Sequence, residues 1–241
     1  HAYRLLMEEP FFAALSRKIE KRATTAIPTA GVRVCPDTAQ FEMVYNAEWF
    51  AAMPEEHVRG VLKHEFYHLI FEHVTSRKPV GVTHQLWNVC ADLAINSHLI
   101  GEIPENGMIP GEGQFADLPA GESAEWYLAK LTELGKTQEE AGEGEGEPGE
   151  GAGEGEGQPG EGQPLDDHSG WSEDGDSPEQ EAATQMAKER LRQAMKEAAG
   201  EAAQSPKGWG SVSGAVKKEI IKRLETKVDW KKVMRYFIKT S

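Results

Sequence analysis

A mixed α+β fold, mostly helical with one small sheet, is what this sequence predicts, and three observations carry the prediction. Apolar residues recur at helical spacing in several segments, a short stretch from Val32 to Tyr45 alternates apolar with polar residues, and residues 141–164 hold almost nothing but Gly, Glu, Gln and Pro. With 241 residues, 39% of them hydrophobic, the chain can bury one sizeable core, or one core and an appendage, but not three.

Residues 2–22 read as helix, with Pro10 suited to the first turn of a second helical segment that carries Phe11, Phe12, Leu15 and Ile19. Val32 and Val34 alternate with polar residues ahead of Pro36 and Asp37, and Phe41, Met43 and Tyr45 alternate again, which predicts two short strands joined by a turn. A helix is expected from Pro54, with Pro at its first position and Glu55 and Glu56 at its positively polarised end, running to about Thr75. Thr83 can cap the next helix, which carries Leu86 through Leu99 and stops at Gly101. A Pro/Gly-rich loop over residues 101–121 precedes one more helix, with Trp126, Tyr127, Leu128 and Leu131 at helical spacing, and after Gly135 the globular pattern stops.

The expected organisation is a folded domain over residues 1–135, an acidic linker over 136–177 and a C-terminal helical segment over 178–241. The linker cannot bury enough apolar surface to offset the entropy of ordering it, so it is expected to be flexible and self-repelling. One island interrupts it, Leu-Asp-Asp-His-Ser-Gly-Trp at residues 165–171. Helical patterns resume over residues 178–203, 212–226 and 229–239.

The formal net charge of −14 comes from this linker. Residues 139–181 hold 16 of the 40 Asp and Glu and no Lys or Arg, leaving 24 acids against 26 bases elsewhere. A near-neutral folded part lacks the basic stripe that a nucleic-acid binder needs, and the basic excess of the last two helical patterns reads as a solvated face. No apolar run approaches the ~18 residues that span a bilayer, and no charged-then-apolar leader opens the chain, so no membrane attachment and a cytoplasmic setting are expected. Cys35 and Cys90 form no C-x-x-C pair and read as buried thiols in a reducing compartment. A chain that opens on His1 and stops at Ser241 after a helical pattern reads as a piece of a longer polypeptide.

His64-Glu65-Phe66-Tyr67-His68 is the motif that points to chemistry. Residues four apart on a helix lie on one face with Cβ atoms about 5–6 Å apart, so two imidazole nitrogens can converge on one zinc ion at about 2.0–2.1 Å each. Glu65 borders that face and is placed to reach the water without being a ligand. Zinc lowers the pKa of water toward about 7, and the carboxylate takes its proton as hydroxide attacks a carbonyl. Val58, Val61, Leu62, Leu69 and Ile70 add an apolar stripe that places the motif on a core helix. The bland alternative is a core helix carrying two surface histidines.

A catalytic zinc needs a third protein ligand and an open position. A metzincin would have a third histidine six residues after His68, beyond a glycine turn; Val74 stands there, with His73 one residue early. Glu72 continues the stripe, but the helix carries it away along its axis by about 5–6 Å per turn, so a ligand from another helix is sterically easier. The helix after Thr83 offers Asn88, Asp92 and Asn96 as a polar line on an otherwise apolar element. A buried carboxylate must be paired, metal-bound or protonated, so Asp92 is the favoured third ligand, with Asn88 and Asn96 orienting a histidine or the carboxylate. Alternatives stay open: Asp92 paired with a basic residue or capping a backbone group, or a ligand drawn from His73, His84, His98 or His168.

Several stretches together resemble a family of cytoplasmic metallopeptidases in which an amino-terminal zincin-like domain precedes a von Willebrand factor A-like domain. They are Pro10-Phe11-Phe12, Ile27-Pro28-Thr29-Ala30, the run from Gly60 through His68 to His73, the run from Trp87 through Asp92 to Asn96, Ser123-Ala124-Glu125, and the island from Asp166 to Trp171. The resemblance covers residues 1–135 firmly and the rest loosely. It implies a zincin-like fold with a small sheet flanked by the two site helices, zinc as the metal, His64 and His68 as ligands and Glu65 as base. Asp92 falls on a characteristic position of the family. A MoxR-type AAA ATPase is the partner it implies. No A-like domain is present in this chain, so nothing that such a domain does is carried over.

The expectation is a zinc-dependent peptidase acting on a protein or peptide substrate, which would pair along Phe41 to Tyr45 as the sheet edge nearest the site. The alternative is an interaction module with a structural zinc, working with the partner ATPase. The island at residues 165–171 could place His168 or Asp166 in the cleft and keep the site latent. Tyr67 and Tyr127 are candidate oxyanion donors, though both are also ordinary packing residues.

Overall fold

The computed structural model describes residues 7–35, 37–75, 78–104, 107–141 and 178–225, with 136–141 and 178–179 in backbone only. In chain order they form α1 (Pro10–Ser16), β1 (Glu20–Ala23), β2 (Ala30–Cys35), β3 (Gln40–Tyr45), α2 (Ala47–Ala52), α3 (Glu55–Ile70), α4 (His84–Asn96), a 3-10 turn (Gly113–Phe115), α5 (Ala124–Ala141), α6 (Pro178–Gln204) and α7 (Gly214–Glu225). Among the described residues the fold is mixed α+β, with seven α-helices and one three-stranded sheet. No described helix is long and apolar enough to cross a membrane. Most of the linker, the island with Asp166 and His168, and the helix expected over residues 229–239 lie outside the described residues.

Two compact units divide the chain: His1–Gly81 with Gly101–Ile103 and Leu165–Ser241, and Val82–Ile100 with Pro104–Pro164. The first holds the sheet, in the order β1-β3-β2. The two strands expected from alternation are β2 and β3, antiparallel with Val32 opposite Met43. The third was not expected: three of the four residues of Glu20–Ala23 lie inside the stretch read as helix, yet the segment pairs parallel with β3, Glu20 opposite Glu42 and Ala23 opposite Tyr45. All four of its residues are exposed, so it has no apolar alternation to announce it. The helix before it stops at Ser16. With β1 on one side and β2 on the other, β3 is the central strand, and Phe41 to Tyr45 is therefore not a sheet edge.

Glu42 sits on this central strand, 5% exposed, and accepts hydrogen bonds from Arg33 of β2 at 2.8 Å and Arg22 of β1 at 3.2 Å. One carboxylate thus ties all three strands. In α6, Thr184, Ala187, Leu191, Ala194, Met195, Ala198 and Ala202 are buried at three- and four-residue spacing. That stripe packs on α1, whose Phe11, Phe12 and Leu15 have no exposed surface, and on β3. Arg190 of α6 donates to the carbonyl oxygens of Thr38 (2.5 Å) and Ala39 (2.9 Å), closing the β2–β3 turn where Ala39 has φ 48°.

In the second unit α4 packs on α5. Thr83 caps α4 as expected, its hydroxyl oxygen accepting from the Leu86 amide at 3.3 Å, and the helix ends at Asn96. Trp87, Leu93, Ile95 and Tyr127 are fully buried here. α5 runs through Gly135 to Ala141, past the point where the sequence pattern stops.

Candidate metal centre

Pro54 stands just before α3, where its fixed φ suits helix entry, and Glu55 and Glu56 occupy the first turn. Gly60 is a close-packing position: a Cβ there would overlap the Glu102 carbonyl group. Beyond it, every residue from Lys63 to Ile70 is buried, so the second half of α3 is enclosed on all sides. An enclosed helix segment bearing Lys63, His64, Glu65, Tyr67 and His68 has five polar groups to satisfy internally. The alternative of two surface histidines is excluded, since both rings are 0% exposed.

Lys63 is satisfied by residues remote in sequence. Its ammonium group donates to both carboxylate oxygens of Glu102 (2.7 and 2.6 Å), to the Ser211 hydroxyl (2.6 Å) and to Glu9 at 3.4 Å. Glu9 in turn accepts from the Ser211 amide at 2.8 Å, beside a stack of Phe11 on Trp209 with centroids 4.7 Å apart. Sequence reasoning missed this cluster. Its one local signal is a lysine among core positions of a helix.

The histidines face each other as the one-turn spacing requires. His64 Nε2 and His68 Nε2 are 2.9 Å apart, with ring centroids at 4.6 Å. Two bare ring nitrogens this close repel unless a proton or a cation lies between them, and a shared tetrahedral cation with bonds of about 2.0–2.1 Å would set them about 3.3 Å apart. One ligand atom from each of His64, His68 and Asp92 lies within 4.8 Å of the others, and all three residues are buried. Among the described residues, His57, His73, His84 and His98 and the carboxylate of Glu72 stand outside this group. Two imidazoles and one carboxylate are a donor set that fits a divalent metal ion with a position left for water or substrate.

Glu65 lies between the two histidines in sequence and is likewise 0% exposed. Cys90 shares α4 with Asp92, and burial, followed by the negative charge of Asp92, pushes its thiol up to about 12. At pH 8 that leaves about one thiolate in 10⁴, which makes Cys90 unreactive. Cys35 is partly exposed, not buried as expected. Iodoacetamide at pH 8 should therefore modify Cys35 in the folded protein and Cys90 only after unfolding, checked by intact-mass analysis; modification of both at similar rates would contradict the burial of Cys90.

α3 ends five residues earlier than the sequence pattern suggested. Phe71 closes the helix and Glu72 takes a left-handed conformation, φ 60°. The Glu72 amide donates to the Leu69 carbonyl at 3.0 Å and the His73 amide to the His68 carbonyl at 3.0 Å, the paired hydrogen bonds of a Schellman cap. Glycine is the usual residue at that left-handed position, and a side chain there costs about 1–2 kcal/mol. The Glu72 carboxylate turns to Lys188, 3.5 Å away.

The remaining candidates are placed as follows. Asn96 is buried and its side-chain amide donates to the Met108 carbonyl at 2.9 Å, anchoring the following loop. Burial holds His98 below the usual histidine range. The Tyr127 hydroxyl donates to the Pro119 carbonyl at 2.6 Å, which makes it a packing residue. Tyr67 stacks on Phe71 and meets Phe12 edge-on, and burial together with Glu9 and Glu102 raises its phenol well above the usual tyrosine range.

A family model described as "Putative metallopeptidase domain" matches residues 1–241. No curated protein and no solved structure matches the chain.

Proposed function

Because the chain belongs to the family described as putative metallopeptidase domains, we propose that it is a zinc-dependent peptidase of zincin type in which His64, His68 and Asp92 hold the metal and Glu65 is the general base. The observation that carries this is the buried convergence of two imidazoles and one carboxylate. A bound divalent ion polarises the scissile carbonyl and makes water acidic enough to yield hydroxide near neutral pH.

The protein's own part is positioning and proton transfer. His64 and His68, fixed by a helix segment buried all round, keep Nε2 atoms aimed at one point without reorganisation. Glu65, adjacent to His64 on the same helix, takes a proton from water and returns it to the leaving amine. A His₂-carboxylate set with an open position matches zinc in ligand type and number. The substrate is a protein or peptide. A MoxR-type AAA ATPase partner and a cytoplasmic setting belong to the same proposal and rest on the family resemblance.

Protein purified without added metal should carry about one zinc per chain. Each of His64→Ala, His68→Ala and Asp92→Ala should lower zinc affinity at least about tenfold, and chelation should abolish cleavage of a peptide library until zinc is restored. Wild-type protein that holds no metal, or alanine variants that keep it, would remove the reading.

A further inference from the structure

We propose that His73 is the positioning residue for His68, accepting a hydrogen bond from His68 Nδ1–H and so fixing the ring tautomer whose Nε2 is bare and directed at His64. Two independent features of the geometry converge on this. The Schellman cap ties the His73 amide to the His68 carbonyl at 3.0 Å and thereby brings the residue after the left-handed Glu72 back over the last turn of α3. The usual occupants of the two facing positions are apolar; here both are histidines, 0% and 2% exposed, with centroids 5.3 Å apart and the two Nδ1 atoms at 3.3 Å.

The direction of the hydrogen bond follows from the other end of the ring. His68 Nε2 lies 2.9 Å from His64 Nε2, and to serve as a ligand it must carry no proton. A neutral His68 then has its proton on Nδ1, the atom that faces His73. That proton needs an acceptor in a buried site, and His73 Nδ1 supplies it, which places the His73 proton on its own Nε2. The backbone bond in one direction and the ring bond in the other hold the same two residues together, so the His68 ring can neither flip nor change tautomer without breaking one of them. The left-handed backbone of Glu72 is the geometric means by which His73 is aimed. His73 is thus not a third ligand: it addresses the nitrogen of His68 remote from His64.

The direction given to the hydrogen bond rests on the metal reading above, whereas of the two readouts only the Co²⁺ one needs a metal. His73→Phe keeps a ring of similar size and removes the acceptor, whereas His73→Asn places an amide oxygen close to where Nδ1 stood. In metal-free protein, ¹⁵N NMR of the imidazoles should find His68 protonated on Nδ1 in the wild type and in His73→Asn, and this preference lost in His73→Phe. With Co²⁺ as the probe, affinity should fall about 10–100-fold in His73→Phe and stay within a few-fold of wild type in His73→Asn, with the visible Co²⁺ spectrum altered only in the former. Unchanged His68 tautomer and Co²⁺ affinity in His73→Phe would overturn the inference, as would a loss in His73→Asn equal to that in His73→Phe. Should wild-type protein bind no Co²⁺, the metal reading fails while the NMR comparison still decides the role of His73.

Discussion

Glu65→Gln is expected to leave metal content at the wild-type level and to lower the rate of peptide hydrolysis by about 10²–10⁴-fold, the range that a positioned general base contributes. The substitution is nearly isosteric and removes only the group that takes the proton. Glu65 is 0% exposed, so thermal melting of the variant beside the wild type is needed to separate lost chemistry from lost folding. The measurement is initial rates on a peptide that wild-type protein cleaves, with zinc determined on the same samples. Retained cleavage would remove Glu65 from the mechanism, and loss of zinc would make it a group that supports the ligands.

Lys63→Met should have the largest effect on stability, about 3–5 kcal/mol, the usual cost of removing one partner from a buried ion pair. Methionine fills nearly the same volume, so the loss is electrostatic. It leaves the carboxylates of Glu9 and Glu102, both bonded to the same ammonium group in the wild type, without their common cation. Urea unfolding measures the change, and adding Glu102→Gln to the variant should restore part of it, because the Glu102 charge, left with only Arg59 at 3.7 Å, then disappears. A loss under about 1 kcal/mol would mean that the Lys63 cluster is not what anchors α3 to the Glu102 segment and to Ser211.

The consequence of that cluster reaches the site. Lys63 is the residue before His64, and its partners come from the start of the chain, from the Gly101–Ile103 segment and from Trp209–Ser211. Gly210 is part of the same arrangement: its φ is 67°, and a Cβ there would collide with Glu9. The Trp209–Ser211 segment between α6 and α7 thus helps hold α3 in place. Nothing in residues 205–212 taken alone announces this, since the surface they bind is made by residues remote in sequence.

Local chemistry made the centre of this protein legible in its sequence. Helical spacing is a property of covalent geometry, so His64 and His68 share a face in any fold that keeps α3 helical, and Asp92 stands out as a carboxylate among apolar neighbours. The strands β2 and β3, the Thr83 cap and the helical pattern of residues 178–203 were visible for the same reason: each is written in periodicity or in one residue's side chain. Tertiary structure alone decided what depends on a remote partner. Glu20–Ala23 becomes a strand only because β3 offers it an edge, and that same pairing turns β3 from an edge into the centre of the sheet. The end of α3 at Ile70, and with it the approach of His73 to His68, depends on a left-handed glutamate that propensity does not favour and that surrounding packing has to hold. Lys63 has partners only once folding brings Glu9, Glu102 and Ser211 to it. Periodicity reports how a residue stands relative to its neighbours along the chain, whereas a buried charge or a strained turn is stable only through groups that folding itself brings within reach.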